Sequence, residues 1–225
     1  MHYTGTTFRP PYEAWSLLLQ VTVGCSHNDC TFCSMYRDVE FEASPLEEIE
    51  EDLVELASKP RARAQAADRI FLVNGDAFCL PAERLLQIAE LIHRHLPSVK
   101  TIGGYARINN IATKTDEELR QLTEAGFADF NIGLESGMDS VLSYMNKGDT
   151  ADEARTQLAR LRAVGMPFNL NIINAAAGPD LIKEHAAANA SIVNEVKPSL
   201  VFVSPLHVDP GTPLETDIAE GRLTL

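Results

Sequence analysis

The sequence predicts an α/β protein with parallel strands, a partial (β/α)6 barrel of the TIM type. Six short runs rich in Val, Ile, Leu and Phe recur along the 225 residues, as strands buried on both faces require. A segment of helical spacing follows each of the first five, the alternation that builds a parallel sheet. No low-complexity tract or linker interrupts it. The chain therefore reads as one domain over residues 1–225, with 1–16 an N-terminal extension and 210–225 a short final unit. Six units fall short of the eight that close a βα barrel. The sheet is an open doubly wound layer, a partial barrel, or a barrel whose C-terminal piece is missing.

The elements follow in order. Residues 17–23, Leu-Leu-Leu-Gln-Val-Thr-Val, form the first strand. Ser44-Pro45-Leu46-Glu47 orders an N-cap serine, a first-turn proline and a capping-box glutamate. Leu46, Ile49, Leu53 and Leu56 continue at helical spacing. Strand 69–74 precedes a helix opened by Pro81 and carrying Leu85, Ile88, Leu91 and Ile92. Strand 100–105 leads to the capping box Thr115–Glu118 and a helix that stops at Gly126. Strand 129–134 leads to a second box, Thr150–Glu153, and a helix that stops at Gly165. Strand 168–173, an Ala-rich helix over 182–196 and strand 199–204 complete the pattern.

Composition narrows the function classes. Nineteen basic against 32 acidic side chains leave a net charge of −13, which opposes unaided binding to a nucleic-acid backbone. The small basic pair Arg61 and Arg63 reads as a solvated loop. The first residues lack the basic start and apolar core of a secretory leader, and no apolar run is long enough to span a bilayer. Four cysteines, three of them clustered, argue for metal or redox chemistry in a reducing cytoplasm rather than a disulfide framework.

The cluster Cys25-Ser-His-Asn-Asp-Cys30-Thr-Phe-Cys33 directly follows the first strand. Three thiolates this close hold one soft metal centre and leave a coordination position open. With His27 as a fourth ligand, Cys25, Cys30 and Cys33 could instead hold zinc in a non-catalytic module. Ligands in parallel α/β folds sit at the carboxyl ends of strands. Those ends carry Asn74-Gly75-Asp76, Tyr105-Ala-Arg107, Gly133-Leu-Glu135-Ser136-Gly137, Asn169 with Asn171 and Asn174, and Ser204 with His207 and Asp209. Polar groups from all six strands thus converge on one rim. Cys79 cannot hold a second cluster alone and reads as apolar packing.

Cys25-x4-Cys30-x-Phe32-Cys33 after a first strand, followed by βα repeats, resembles the radical S-adenosylmethionine (SAM) superfamily. The first gap holds four residues where the usual motif holds three. The segments around Gly75-Asp76, Tyr105-Ala-Arg107, Gly133–Gly137, Met145–Thr150 and Pro210–Leu214 resemble coproporphyrinogen-oxidase-like and methylthiotransferase-like members. The resemblance spans about residues 17–214. It implies a 4Fe-4S cluster held by Cys25, Cys30 and Cys33, with SAM on the fourth iron. Reductive cleavage of SAM would then yield a 5′-deoxyadenosyl radical that attacks the substrate.

It also implies cofactor contacts. Gly75 and Asp76 would meet the SAM amino group, Glu135 the ribose, Lys147 the carboxylate, and Phe32 the adenine side. Asn169 and Asn171 alternate onto one side of the fifth strand and face the cofactor. Arg107, His207 and Asp209 are substrate-side candidates. The partners implied are a low-potential donor such as a flavodoxin or ferredoxin and a substrate that is a small molecule rather than nucleic acid. The overall reaction, as oxidoreductase or transferase, is left open. Sulfur insertion is disfavoured because the chain lacks cysteines for a second cluster.

Overall fold

The computed structural model describes residues 1–59 and 67–224; the pair Arg61 and Arg63 lies outside the described residues. Seven strands form one sheet: β1 (Leu17–Gly24), β2 (Glu42–Ala43), β3 (Arg69–Gly75), β4 (Thr101–Ala106), β5 (Phe130–Glu135), β6 (Phe168–Asn174) and β7 (Leu200–Pro205). Their spatial order is β2-β1-β3-β4-β5-β6-β7. Six are parallel and adjacent in chain order, each within one residue of its expected bounds. The unexpected β2 pairs antiparallel with β1 through Thr22 and Val23. Because β7 does not return to β1, the barrel is partial, and the doubly wound alternative is set aside.

Helices α1 (Leu46–Ser58), α2 (Ala82–His95), α3 (Ile108–Ala112), α4 (Asp116–Glu124), α5 (Asp139–Tyr144), α6 (Ala151–Ala163), α7 (Ile182–Val196) and α8 (Pro213–Ala219) occupy the crossovers and the chain's end. Two of the three expected capping boxes form: Thr115 accepts from Glu118 N and Thr150 from Glu153 N. The third does not. The N-cap of α1 is Pro45, with no side-chain cap. Ser44, just past β2, keeps its N–H on Val21 O at 3.0 Å, so that N–H is not free for the Glu47 carboxylate. Short helices α3, α5 and α8 carry no periodic apolar stripe and were not expected.

Alternate residues of each strand serve opposite faces. Leu17, Leu19, Val21, Ile70, Leu72, Ile102, Phe130, Ile132, Phe168 and Leu170 join one core with the helices. The other face carries Gln20, Thr22, Arg69, Tyr105, Asn131, Gly133, Asn169 and Asn171, and lines the concave lumen. At the top of β5 the register shifts between Gly133 and Glu135, and Glu135 sits at φ +62°. Such a bulge re-aims a side chain at the cost of local strain.

The N-terminal extension is a strap rather than a loose tail. Thr4 N–H donates to Gln20 Oε1 at 2.8 Å, and Phe8 meets Tyr36 edge-on at 5.7 Å. Beyond Phe8 the strap enters the lumen, where the Tyr12 hydroxyl bonds Asn131 Oδ1. At its end Glu13, 2% exposed, takes a fork of bonds from Arg69, Nη2 at 2.7 Å and Nε at 3.0 Å.

Candidate active site

Local backbone chemistry builds the rim. The four-residue gap between Cys25 and Cys30 is taken up by Asn28 at φ +47°, whose amide donates to Tyr36 O at 2.6 Å. Asn and Asp tolerate this left-handed region better than other side chains. The loop is then tied to the turn after α5. Asn146 Nδ2 donates to Asp29 O at 2.9 Å, and Thr31 N–H donates to Met145 O at 3.0 Å. Arg37 braces the far side through Cys33 O at 3.1 Å, and Ser34 bonds Asp209.

All three cysteines are half-buried. Burial pushes the Cys30 thiol up to about 11 and raises Cys33, while Lys147 and Arg107 pull Cys30 the other way. Thiols in this state become thiolates only by binding metal, which displaces the proton. His27 does not join them through Nε2, which bonds Asn146 O at 2.6 Å. Among the described residues, no three His, Cys, Asp or Glu side chains converge on a single-ion site. A four-iron cluster distributes its ligands over several metal atoms. The His27 bond takes its Nε2 out of the ligand set that the zinc module would need.

Gly24 and Gly75, paired across β1 and β3, hold the strands together beside the cysteine loop. Gly75 has φ +146°, and a Cβ there would lie 1.9 Å from Gly24 O. Only glycine allows that approach. Asp76 follows, 3% exposed, and accepts from Ser26 Oγ at 2.7 Å. Its second oxygen, Oδ1, is buried without a partner. Burial raises its pKa, against the pull of Ser26, Arg107 and the nearby Asn110 side chain. A buried carboxylate oxygen with no donor has capacity for a cationic ligand.

Across the lumen, Lys147 Nζ faces Glu135 Oε1 at 3.4 Å, both well buried. Burial raises the Glu135 carboxyl against the pull of Lys147. For Lys147 burial works downward, but the facing Glu135 carboxylate outweighs it and raises the ammonium pKa. Gly133 makes room: a Cβ there would lie 2.4 Å from Glu135 Oε1 and 3.1 Å from Lys147 Nζ. Arg107 bonds Lys147 O, and Asn109 donates to Gly148 O at 2.9 Å. The turn behind Glu135 is clamped from α7. Buried His185 lies 2.9 Å from Ser136 Oγ, and Asn189 Oδ1 accepts from Gly137 N–H at 2.6 Å.

The other expected residues separate. Phe32 packs into a satellite core with Met145 and Ile173 and also lines a cavity of about 330 Å³. Glu135 and Asn171 line the same cavity. Asn169 sits one layer lower, its amide 3.3 Å from Asp129 O. His207 is exposed and pairs with Asp209 at 3.2 Å. Cys79 is half-buried near Asp76 and Ser26 rather than in the apolar core. Tyr12, Asp149 and His185 were not found from sequence; their partners lie far along the chain and leave no local pattern.

A radical SAM superfamily model matches residues 19–187. The chain belongs to the radical SAM superfamily. That family's enzymes use a 4Fe-4S cluster and SAM, and need a reductant and a substrate. The chain is 24% identical over 226 aligned positions to the tRNA-2-methylthio-N(6)-dimethylallyladenosine synthase of Colwellia psychrerythraea, covering 94% of this chain and 45% of that protein. It is 26% identical to the same synthase of Maricaulis maris, covering 89% and 45%. The chain thus spans less than half the length of these relatives.

Solved structures share the fold. Methylornithine synthase superimposes with a TM-score of 0.64 at 14% identity, covering 89% of this chain and 56% of that one. Coproporphyrinogen III oxidase from Escherichia coli gives 0.60 at 14% identity, covering 92% and 52%. A radical SAM methyltransferase from Kitasatospora setae, with cobalamin and a [4Fe-4S] cluster bound, gives 0.68 at 18% identity, covering 92% and 39%. Among the described residues, no helix is long and apolar enough to cross a membrane.

Proposed function

We propose that this chain is the core of a radical SAM enzyme that acts on a small molecule in the reducing cytoplasm, fed by a flavodoxin or ferredoxin. One observation carries the reading. Three half-buried thiols share a rim with an unpartnered buried carboxylate oxygen at Asp76. Cys25, Cys30 and Cys33 would hold the cluster, and residues 1–225 would act as one domain. When bound, the cluster supplies the electron that cleaves SAM to methionine and a 5′-deoxyadenosyl radical.

The chain's own residues set the conditions. Asp76 Oδ1 would accept from the SAM ammonium, and Gly75 would admit the ligand close to the backbone. Lys147 would face the SAM carboxylate and keep Glu135 oriented towards the ribose. Asn171 and Phe32 would bound the adenosyl side, with Asn169 fixing the layer beneath. The strap would cover part of the lumen and, with substrate bound, help to exclude the water that a radical must avoid. The small-molecule reading rests on the charge of −13.

The test is anaerobic reconstitution. The reading expects ~4 irons and sulfides per chain, an electron paramagnetic resonance spectrum altered by SAM, and 5′-deoxyadenosine under reducing conditions. One tightly held zinc with no response to SAM would refute it.

A further inference from the structure

We propose that the N-terminal strap forms the substrate-recognition wall of the lumen, and that Arg9 binds the carboxylate or phosphate of a small, flat, anionic substrate. This rests on the function proposed above. The cavity of about 330 Å³ lies between two walls. Glu135, Asn171 and Phe32 form the cofactor side. Arg9, Pro10, Pro11 and Tyr12 of the strap line the same space, and Phe202 of β7 and Tyr105 of β4 complete it. The adenosyl group of SAM would take the Glu135 side of this space, so what is left against the strap suits only a small ligand.

The wall is built rather than draped. Pro10 and Pro11 restrict the backbone, and the Tyr12 hydroxyl is fixed on Asn131. Glu13 locks the end of the strap to Arg69. A rigid pair of prolines between two anchors presents Arg9 and the Tyr12 ring at little entropic cost on binding. The rings of Tyr12, Phe32, Tyr105 and Phe202 favour a flat body.

Charge selects the rest of the ligand. Two charged side chains line the cavity. Glu135 already faces Lys147. Among the described residues Arg9 has no carboxylate partner; its one contact is a long 3.5 Å bond to Glu13 O. In a chain of net charge −13 an anion is repelled at long range. Capture therefore depends on a local guanidinium, which grips planar oxyanions through two parallel bonds.

The probe pair is 4-hydroxybenzoate and its uncharged amide, 4-hydroxybenzamide, titrated calorimetrically into reconstituted protein with SAM. The anion is expected to bind about tenfold or more tighter than the amide. Arg9→Gln abolishes that preference, while Arg9→Lys keeps part of it. Iron content and the SAM-induced spectral change stay at wild-type levels in both variants, because Arg9 is exposed and its hydrogen bond goes to Glu13 O rather than to the cysteine loop. Equal binding of the two probes, an anion preference that survives Arg9→Gln, or no binding of either at millimolar concentration overturns the inference. Loss of iron or of the SAM response in the wild-type protein would instead overturn the function on which it rests.

Discussion

The two faces of the sheet obey different rules although they share the same six strands. The outer face is closed and apolar: Leu19, Ile70, Leu72, Ile102 and Ile132 are fully buried under helices. Each contributes about 1.5–3 kcal/mol by leaving water. The lumen face is polar, strained and incompletely paired. Thr22 Oγ1 and Asn131 Nδ2 are buried without hydrogen-bond partners. Each such group costs about 1–3 kcal/mol. Glu135 and Asn74 hold φ near +60° at strand ends. The protein therefore carries its stability on one set of alternate residues and its chemistry on the other.

The largest effect should come from the rim. Cys33→Ala is expected to remove the cluster and abolish 5′-deoxyadenosine formation, with little change in the far-ultraviolet circular dichroism spectrum. A variant that kept full iron would break the separation of the faces at its strongest point. The outer face answers next. Phe130→Ala, in the core between Phe78 and Phe127, should cost about 3–5 kcal/mol in urea denaturation, while residual folded protein still binds SAM.

Gly133→Ala probes the lumen without altering a polar group. The added methyl forces Glu135 away from Lys147, so SAM affinity should fall by about tenfold or more while the melting midpoint moves by a few degrees. A large loss of stability with SAM binding intact would reverse the assignment. Asp149 offers a gentler test. Burial lifts its carboxyl to about 6, so the native state holds this proton more tightly than the unfolded chain. Its stabilising contribution is complete below the unfolded value and is lost as pH rises through about 6. Asp149→Asn should flatten that decline, worth about 1–2 kcal/mol after solvent screening, as urea midpoints across the range would show. The smallest change belongs to the outer layer. Thr150→Ala removes the cap of α6 and should cost about 1 kcal/mol with no effect on SAM binding.

This division explains what could be read in advance. Apolar strand runs and the capping boxes at Thr115 and Thr150 are local signals, and they placed the six parallel strands within one residue. The cysteine triplet, Asp76 and Glu135 could be singled out as candidates because strand ends concentrate ligand-binding groups. Ser44 misled because its box has the right residues, but its N–H is already held by Val21 O. The strap was silent. Pro-Pro-Tyr has no periodicity, and Tyr12 finds its partner 119 residues away. His185 lies 49 residues from Ser136. Such contacts arise from the curvature of the assembled sheet, not from the neighbourhood of either residue.

The strap also bears on the order of assembly during synthesis. Residues 9–13 leave the ribosome before β1, yet Glu13 waits for Arg69 of β3 and Tyr12 for Asn131 of β5. Non-local contacts of this kind add little until the chain entropy between them has been spent. The earliest-made wall of the lumen is thus among the last parts to become fixed.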